Sequence, residues 1–347
     1  MTTVRPEQLQ DFIARALQAV DLSPGDAGSV AELMTRADLG GADGHGVFRL
    51  PQYVRRIRNR GINVRPNIRV VSERAAMALV DGDNGMGHLV MRFAAETAMK
   101  KAKTSGVAWV GVRGSNHAGP ASLYAAMPLA QDMVGLYFAV GNANHLPPWG
   151  GIDMLLSTNP LAVAVPTQDE PPIVLDMATT VAAYGKVKTK AQRGETMPEG
   201  WMIDRQGKPL TDPKRADEGF LVPIGGYKGY GLALIIGLLA GTLNGAAMAR
   251  ETIDFNKDEV TVTNTGQAIM AIDLSAFGPV SEFKKKVDDV ARQMRGSARL
   301  PGVERIWLPG EQSHAKRAER AARGIPLPAP LRAQLDTLAR DLKIQPL

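Results

Sequence analysis

Val134-Gly-Leu-Tyr-Phe-Ala-Val140, Leu161-Ala-Val-Ala-Val165 and Ile173-Val-Leu175 decide the fold. Each run is short, apolar and rich in β-branched or aromatic residues, as strands are. No helical period separates them, and strands joined without a crossover helix pair antiparallel. Further strand-like runs stand at Ile68–Val71, Ala76–Val80, Val107–Val112, Glu259–Thr263 and Ala268–Ile272. Helices are expected at Gly87–Lys103, Ala121–Gln131, Lys228–Met248 and Ser281–Met294. The expectation is a mixed α/β fold, α+β in character: a mixed sheet flanked by helices, without strict βαβ alternation.

Outward from this centre the two chain ends read as helical. Leu9, Phe12, Ile13, Ala16, Leu17 and Val20 share one helical face, and Ser23-Pro24 reads as an N-cap followed by the first helical residue. A third helix is expected between Val47 and Arg60, and two more at His314–Arg323 and Leu331–Leu342, around the hinge Ile325-Pro326-Leu327-Pro328. Gly229 to Ala249 carries no charge and is long enough to span a bilayer. The reading preferred here is a helix buried on all sides, because no aromatic belt flanks it.

The chain has 347 residues, enough for about two domains, with 44% hydrophobic and 22% charged residues, which excludes wholesale disorder. It has no cysteine, so disulfides, thiolate nucleophiles and thiolate-bound metals are excluded. Nothing at Met1 to Gln10 reads as a secretory signal, and a cytoplasmic setting is expected. The net charge of +6 suits anionic small molecules. The arginines between Arg55 and Arg60 read as a solvated helix face, so neither a nucleic-acid nor a membrane partner is expected.

The glycine pairs at Gly44, Gly85 and Gly229 lack the third glycine of a dinucleotide fingerprint, and no phosphate-binding loop ends in Gly-Lys-Ser/Thr. Asp81 to Arg92 begins like a calcium loop, but Met86 and Arg92 stand where glycine and glutamate are required. No metal site is expected.

Three glycine-rich segments remain. In Gly41-Ala-Asp43-Gly44-His45-Gly46-Val47-Phe48-Arg49 a histidine lies between two glycines, where a ligand can approach closely. Asp43 is near enough in sequence to orient the ring, and a helix that already included His45 would put Arg49 on the same side; Pro51 in the first turn would weaken that relation. Gly114-Ser115-Asn116-His117-Ala118-Gly119-Pro120-Ala121 joins a strand to a helix, a place for anion-binding amides or for a plain turn. Gly225-Gly226-Tyr227-Lys228-Gly229-Tyr230-Gly231 opens the apolar helix, with a lysine working against the dipole unless an anion joins it.

In order and spacing, these segments resemble the malate/L-lactate dehydrogenase family. The resemblance also rests on Ser157-Thr158-Asn159-Pro160, Leu175-Asp176-Met177-Ala178-Thr179-Thr180, Tyr184-Gly185-Lys186, Thr211-Asp212-Pro213 and Leu308-Pro309-Gly310-Glu311. That non-Rossmann group also holds sulfolactate, ureidoglycolate and diketogulonate oxidoreductases and cyclic-imine carboxylate reductases. The resemblance runs from Ala37 to Ile325 and implies an oxidoreductase moving a hydride between NAD or NADP and a small 2-oxo or 2-hydroxy acid.

It further implies a homodimer, a sheet domain over residues 66–312 that carries the cofactor, and a helical domain of residues 1–65 with 313–347. His45 matches the proton donor, with His117 as rival, while Arg49 and Thr158 match substrate-holding positions. His117, Ala118, Gly119, Pro120, Ala121, Asp176, Met177, Ala178, Lys228, Gly310 and Glu311 match cofactor contacts. Two positions depart from the family. Gly44 replaces a serine before the histidine, and Lys186 replaces the aspartate of the imine-reductase branch. A serine–histidine–aspartate relay is therefore missing, which favours a 2-hydroxy acid over a cyclic imine carboxylate and leaves water or Asp43 to support His45.

Overall fold

Ser23 caps its helix as its sequence position predicts, its hydroxyl accepting the Asp26 amide at 3.1 Å. The computed structural model describes residues 2–347, apart from the side chain of residue 192. Strand β1 (Thr2–Val4) leads into α1 (Pro6–Gln18) and α2 (Pro24–Leu39), and a single 3-10 turn, Val47–Arg49, precedes α3 (Leu50–Arg58). Leu9, Phe12, Ile13, Ala16 and Leu17, the predicted stripe of α1, are fully buried.

The centre is a seven-stranded sheet. Its first half holds β2 (Arg69–Arg74), β3 (Met77–Asp81), α4 (Gly87–Ser105), β4 (Val107–Ser115), α5 (Ser122–Ala125) and β5 (Met133–Ala139). Then come β6 (Leu161–Val165) and β7 (Ile173–Met177). A smaller lobe holds α6 (Tyr184–Arg193), β8 (Met202–Asp204) and β9 (Gly219–Leu221), packed around Val187, Met197, Met202, Leu210 and Leu221. The chain continues through α7 (Tyr227–Ala240), β10 (Thr265–Asp273), α8 (Val280–Arg295), α9 (Glu311–Arg323), β11 (Ile325–Leu327) and α10 (Ala329–Leu342).

The strand order is β2-β3-β4-β10-β5-β6-β7. Only β3 and β4, joined by the α4 crossover, run parallel; the other pairs are antiparallel, as the helix-free run from β5 to β7 requires. The fold is thus the expected mixed sheet. Register gathers distant segments at one end of it. Thr265 of β10 lies opposite Ser115, and Leu161 of β6 opposite both Phe138 and Met177. Residues 115–121, 140–142, 157–160 and 177–180 therefore meet at that end. The hinge prolines lie within and after β11, which pairs with β1, and α10 joins the N-terminal helices in one apolar cluster.

Four expectations are corrected. Arg56, expected on a solvated helix face with its neighbouring arginines, is fully buried and donates to Gly61 O at 3.1 Å. Glu259–Thr263 is not a strand, because other groups take its backbone. The Asp258 carboxylate accepts the amides of Val260 (2.9 Å) and Thr261 (2.8 Å), and the buried Arg56 guanidinium donates to the carbonyls of Asp258 and Thr261. The helix expected over Ala121–Gln131 stops at Ala125 and continues as a 3-10 turn carrying Pro128. The helix expected over Lys228–Met248 ends at Ala240, and it is not buried on all sides. Gly237 packs against Met248 and Asn159, while Leu232, Ile235, Leu238, Leu239 and Leu243 are exposed. Among the described residues no helix is long and apolar enough to cross a membrane.

Candidate active site

The loop between α2 and α3 sets His45. Its amide donates to Ala42 O at 2.8 Å, and the ring lies in a turn ahead of the helix, with Pro51 in the first turn of α3. Arg49 is thus not one α-helical turn beyond His45; instead its Nε donates to Gly44 O at 2.9 Å and folds the loop onto itself. Asp43 does not orient the imidazole. It is ion-paired with Arg320 of α9, a cation that sequence proximity could not reveal.

The partner of His45 comes from the sheet end. His45 Nδ1 lies 3.2 Å from His117 Nε2, and His117 Nδ1 lies 2.5 Å from the Tyr53 hydroxyl. The two imidazoles are nearly parallel, with ring centroids 5.3 Å apart. Phe255 stacks on His117 at 5.1 Å. Both nitrogens of His117 are engaged, whereas His45 Nε2 has no partner among the described residues.

Burial, aided by the Arg49 charge, lowers the His45 pKa to about 4. Burial likewise pushes His117 well below its ordinary value and raises Tyr53 above the usual phenol range. Both imidazoles are therefore neutral near pH 7, and Tyr53 keeps its proton.

Arg49 stands at the rim. Its Nη1 donates to Gln52 Oε1 (2.9 Å) and Asn256 Oδ1 (3.0 Å), and the guanidinium lies over the Phe48 and Phe255 rings. These acceptors are neutral, and among the described residues Nη2 has no hydrogen-bond partner, which leaves it open to a ligand carboxylate. Thr158 reaches the same sheet end. A Cβ on Gly141 would stand 3.4 Å from Thr158 Oγ1, and the neighbouring Asn142 O accepts the Phe255 amide at 3.0 Å.

The expected cofactor contacts divide into two groups. Along His117 to Ala121 the backbone turns into α5, whose Ser122 amide donates to Asp176 Oδ2 at 2.9 Å. A carboxylate already occupies that helix start, so this junction joins the edge strand to the histidine segment. Asp176 is followed by Met177 and Ala178 at the end of β7, and Pro309 O accepts the Val174 amide at 3.1 Å, which brings Gly310 to the same edge. Glu311 is held by Arg295 at 2.9 Å and Arg305 at 3.5 Å.

The second group is the start of α7. No side chain caps it, and Gly225 and Gly226 precede it with φ of 58° and 65°. A Cβ on Gly225 would meet open space, and Lys228 is exposed with no ion pair among the described residues. Open amides, a helix N-terminus of 14 residues and an unpaired cation fit a dinucleotide pyrophosphate.

Sequence reasoning missed Tyr53 and Phe255. Tyr53 was hidden on an apolar helix face, and the one available signal was chemical, since a buried tyrosine hydroxyl needs a partner.

The pattern of the malate/L-lactate dehydrogenase family matches residues 4–336. The chain is 36% identical to a malate dehydrogenase of Pyrococcus horikoshii, over 99% of this chain and 96% of that protein. It is 35% identical to an L-sulfolactate dehydrogenase of Methanothermobacter thermautotrophicus, over 98% and 97% of the two chains. A solved malate dehydrogenase structure from Pyrococcus horikoshii superposes with a TM-score of 0.91 at 34% identity, covering 100% of this chain and 97% of that one. With this fold and these segments in their order, the chain belongs to the malate/L-lactate dehydrogenase family.

Proposed function

We propose that the protein interconverts a small 2-oxo acid and its 2-hydroxy acid, using NAD or NADP, with His45 moving the proton. The observation that carries the choice of His45 over His117 is the free His45 Nε2 beside a His117 whose two nitrogens are both engaged. A reduced nicotinamide, when bound, supplies the hydride. The rest of the chemistry falls to side chains.

Two tautomer sets satisfy the chain of contacts, and one of them suits a base. In it His45 Nδ1–H donates to His117 Nε2 and His117 Nδ1–H donates to the Tyr53 oxygen, leaving a lone pair on His45 Nε2. That nitrogen takes the hydroxyl proton during oxidation and, once protonated, returns it to the C2 oxygen during reduction. Proton transfer of this kind contributes roughly 100- to 10,000-fold. Arg49 holds the substrate carboxylate through its free Nη2, and Thr158 lines the same end, so the carbon that changes oxidation state presents one face. Burial is the larger cause of the low His45 pKa and the Arg49 charge the smaller, and a carboxylate beside Arg49 would offset the smaller one.

Lys228 with Gly225 and Gly226 would hold the dinucleotide phosphates, and Asp176 to Ala178 with Gly310 and Glu311 would line its other part. A second copy of this chain is the expected partner. The exposed Leu232, Ile235 and Leu239 on α7, with Leu243 in the turn that follows it, form an apolar face suited to self-association.

The test is loss of reduced-nicotinamide absorbance with each cofactor against a panel of 2-oxo acids and cyclic imine carboxylates. His45→Ala should lower turnover at least about 100-fold while dinucleotide binding persists. Turnover surviving within a few-fold would move the role to His117, and activity confined to the imines would replace the substrate class.

A further inference from the structure

The loop that carries His45 has little of its own to hold it. Gly41, Gly44 and Gly46 lie close together there, and glycine loses more backbone freedom on folding than any other residue. A Cβ on Gly44 would meet open space, so no packing fixes the residue before the histidine. Arginines hold the loop from two flanks. Arg49 donates to Gly44 O on one side. On the other, Arg320 of α9 donates through Nη1 to the Asp38 carbonyl and to Asp43 Oδ1, and through Nη2 to Asp43 Oδ2 at 3.2 Å. The stem of Lys316, one turn earlier on α9, covers Gly41, where a Cβ would stand 2.6 Å from Lys316 Cδ.

Helix α9 is itself fastened to the sheet. Its His314 Nε2 lies 2.9 Å from Pro172 O, just ahead of β7, and its first residue, Glu311, pairs with Arg295 of α8 at 2.9 Å. Pro309 O, just before the helix, accepts the Val174 amide of β7 at 3.1 Å. One helix, roughly 20 Å long, therefore starts at the edge expected to line the dinucleotide and places its last turn on the His45 loop.

The Arg320 side chain is 12% exposed and that of Asp43 63%, and an ion pair with so open an end adds little stability. Its geometry is the stronger feature: a planar guanidinium that engages both carboxylate oxygens fixes direction as well as distance. Hydride and proton must reach adjacent atoms of one substrate. The loop and the edge strand consequently need a fixed spacing, and a misplacement of about 1 Å costs on the order of 100-fold in rate.

We propose that Arg320 is a positioning residue for the proton transfer, an assignment that rests on His45 as the group that moves the proton. Through Asp43 and the Asp38 carbonyl it sets the backbone that carries His45, without touching the imidazole, and α9 refers that backbone to the dinucleotide edge.

The experiment measures kcat and KM for 2-oxo acid reduction at saturating dinucleotide in the wild type, Arg320→Ala, Arg320→Lys and Asp43→Asn. Arg320→Ala should lower kcat roughly 10- to 100-fold. KM should move less than about threefold, because Arg49 keeps its own anchors on Gln52 and Asn256. Lysine reaches one of the two acceptors at a time, so Arg320→Lys should recover part of kcat, as should ethylguanidinium added to Arg320→Ala. Asp43→Asn alone should lower kcat in the same direction, and it carries the test if Arg320→Ala does not fold. A loss confined to KM, or no recovery with either lysine or ethylguanidinium, would overturn the assignment.

Imidazole NMR separates positioning from the reaction. The His45 ring signals, identified by their absence in His45→Gln, should move in Arg320→Ala, while those of His145, stacked on Tyr184 at 4.1 Å, stay in place. If the His45 signals move but both His45→Gln and Arg320→Ala retain full kcat, Arg320 still sets the loop and the proton-moving role of His45 fails. If His45→Gln abolishes turnover while Arg320→Ala changes neither kcat nor the ring signals, the assignment of Arg320 fails alone.

Discussion

Asp38 and Gly46 close the loop that carries His45. The Asp38 carboxylate accepts the Val47 amide at 2.8 Å, and a Cβ on Gly46 would stand 2.0 Å from Asp38 Oδ1. A glycine after the histidine is thus required by close approach to a buried acid. Burial raises the Asp38 pKa to about 8, so the side chain is largely protonated through neutral pH.

That proton makes folding depend on pH in a particular direction. Above the ordinary carboxyl value of 3.8 the unfolded chain releases the Asp38 proton while the folded chain keeps it, so stability falls as pH rises toward 8. The buried histidines His45, His88, His117 and His145 act oppositely, because the unfolded chain gains protons that the folded one refuses, and their effect fades as pH rises past their ordinary value of 6.5. Above about pH 7.5 Asp38 therefore dominates among these groups. The unfolding free energy of the wild type from urea titrations should fall from there toward pH 8, by less than about 1.4 kcal/mol per pH unit. Asp38→Asn keeps an acceptor for Val47 and should flatten the profile; equal slopes in both proteins would contradict a protonated Asp38.

The lowered pKa of His45 gives a kinetic expectation. Oxidation needs the neutral imidazole, and kcat/KM reports the free enzyme. The value for a 2-hydroxy acid should stay level from neutral pH down to about 5 and then drop as His45 protonates near 4. For 2-oxo acid reduction, which needs the proton already loaded, kcat/KM should decline as pH rises through the neutral range. An inflection near 6.5 in the oxidation profile would mean that the ring is better solvated than its surroundings indicate.

How far the sequence disclosed this molecule depended on whether a feature was local. The strands β5, β6 and β7 were readable because each is an apolar run bounded by turns, and their antiparallel order followed from the missing helices. The place of β10 was not, because Thr265 meets Ser115 across 150 residues of chain. His45 and His117 each stood out by their glycine neighbours, yet their contact spans 72 residues and leaves no periodic trace. Asp43 shows the converse error. Adjacency in sequence suggested support for His45, and a helix 277 residues away claimed the carboxylate. Glu259–Thr263 had a strand's composition, but a buried arginine took its carbonyls.

Lys228 supplies the last test, and salt makes it specific. The ammonium stands at the uncapped start of α7, where its charge adds to the helix N-terminus and only an anion relieves the repulsion. Lys228→Ala should raise the dinucleotide dissociation constant about tenfold in a fluorescence titration, corresponding to about 1.4 kcal/mol, with kcat at saturating dinucleotide reduced less than the constant rises. Because the lysine is exposed, its contribution is open to ionic screening, whose range shrinks from about 10 Å at 0.1 M salt to about 3 Å at 1 M. The gap between wild type and variant should therefore narrow as salt is raised. A gap that persists at high salt would point to a rearranged loop in place of a lost charge, and an unchanged dissociation constant would remove Lys228 from the cofactor site.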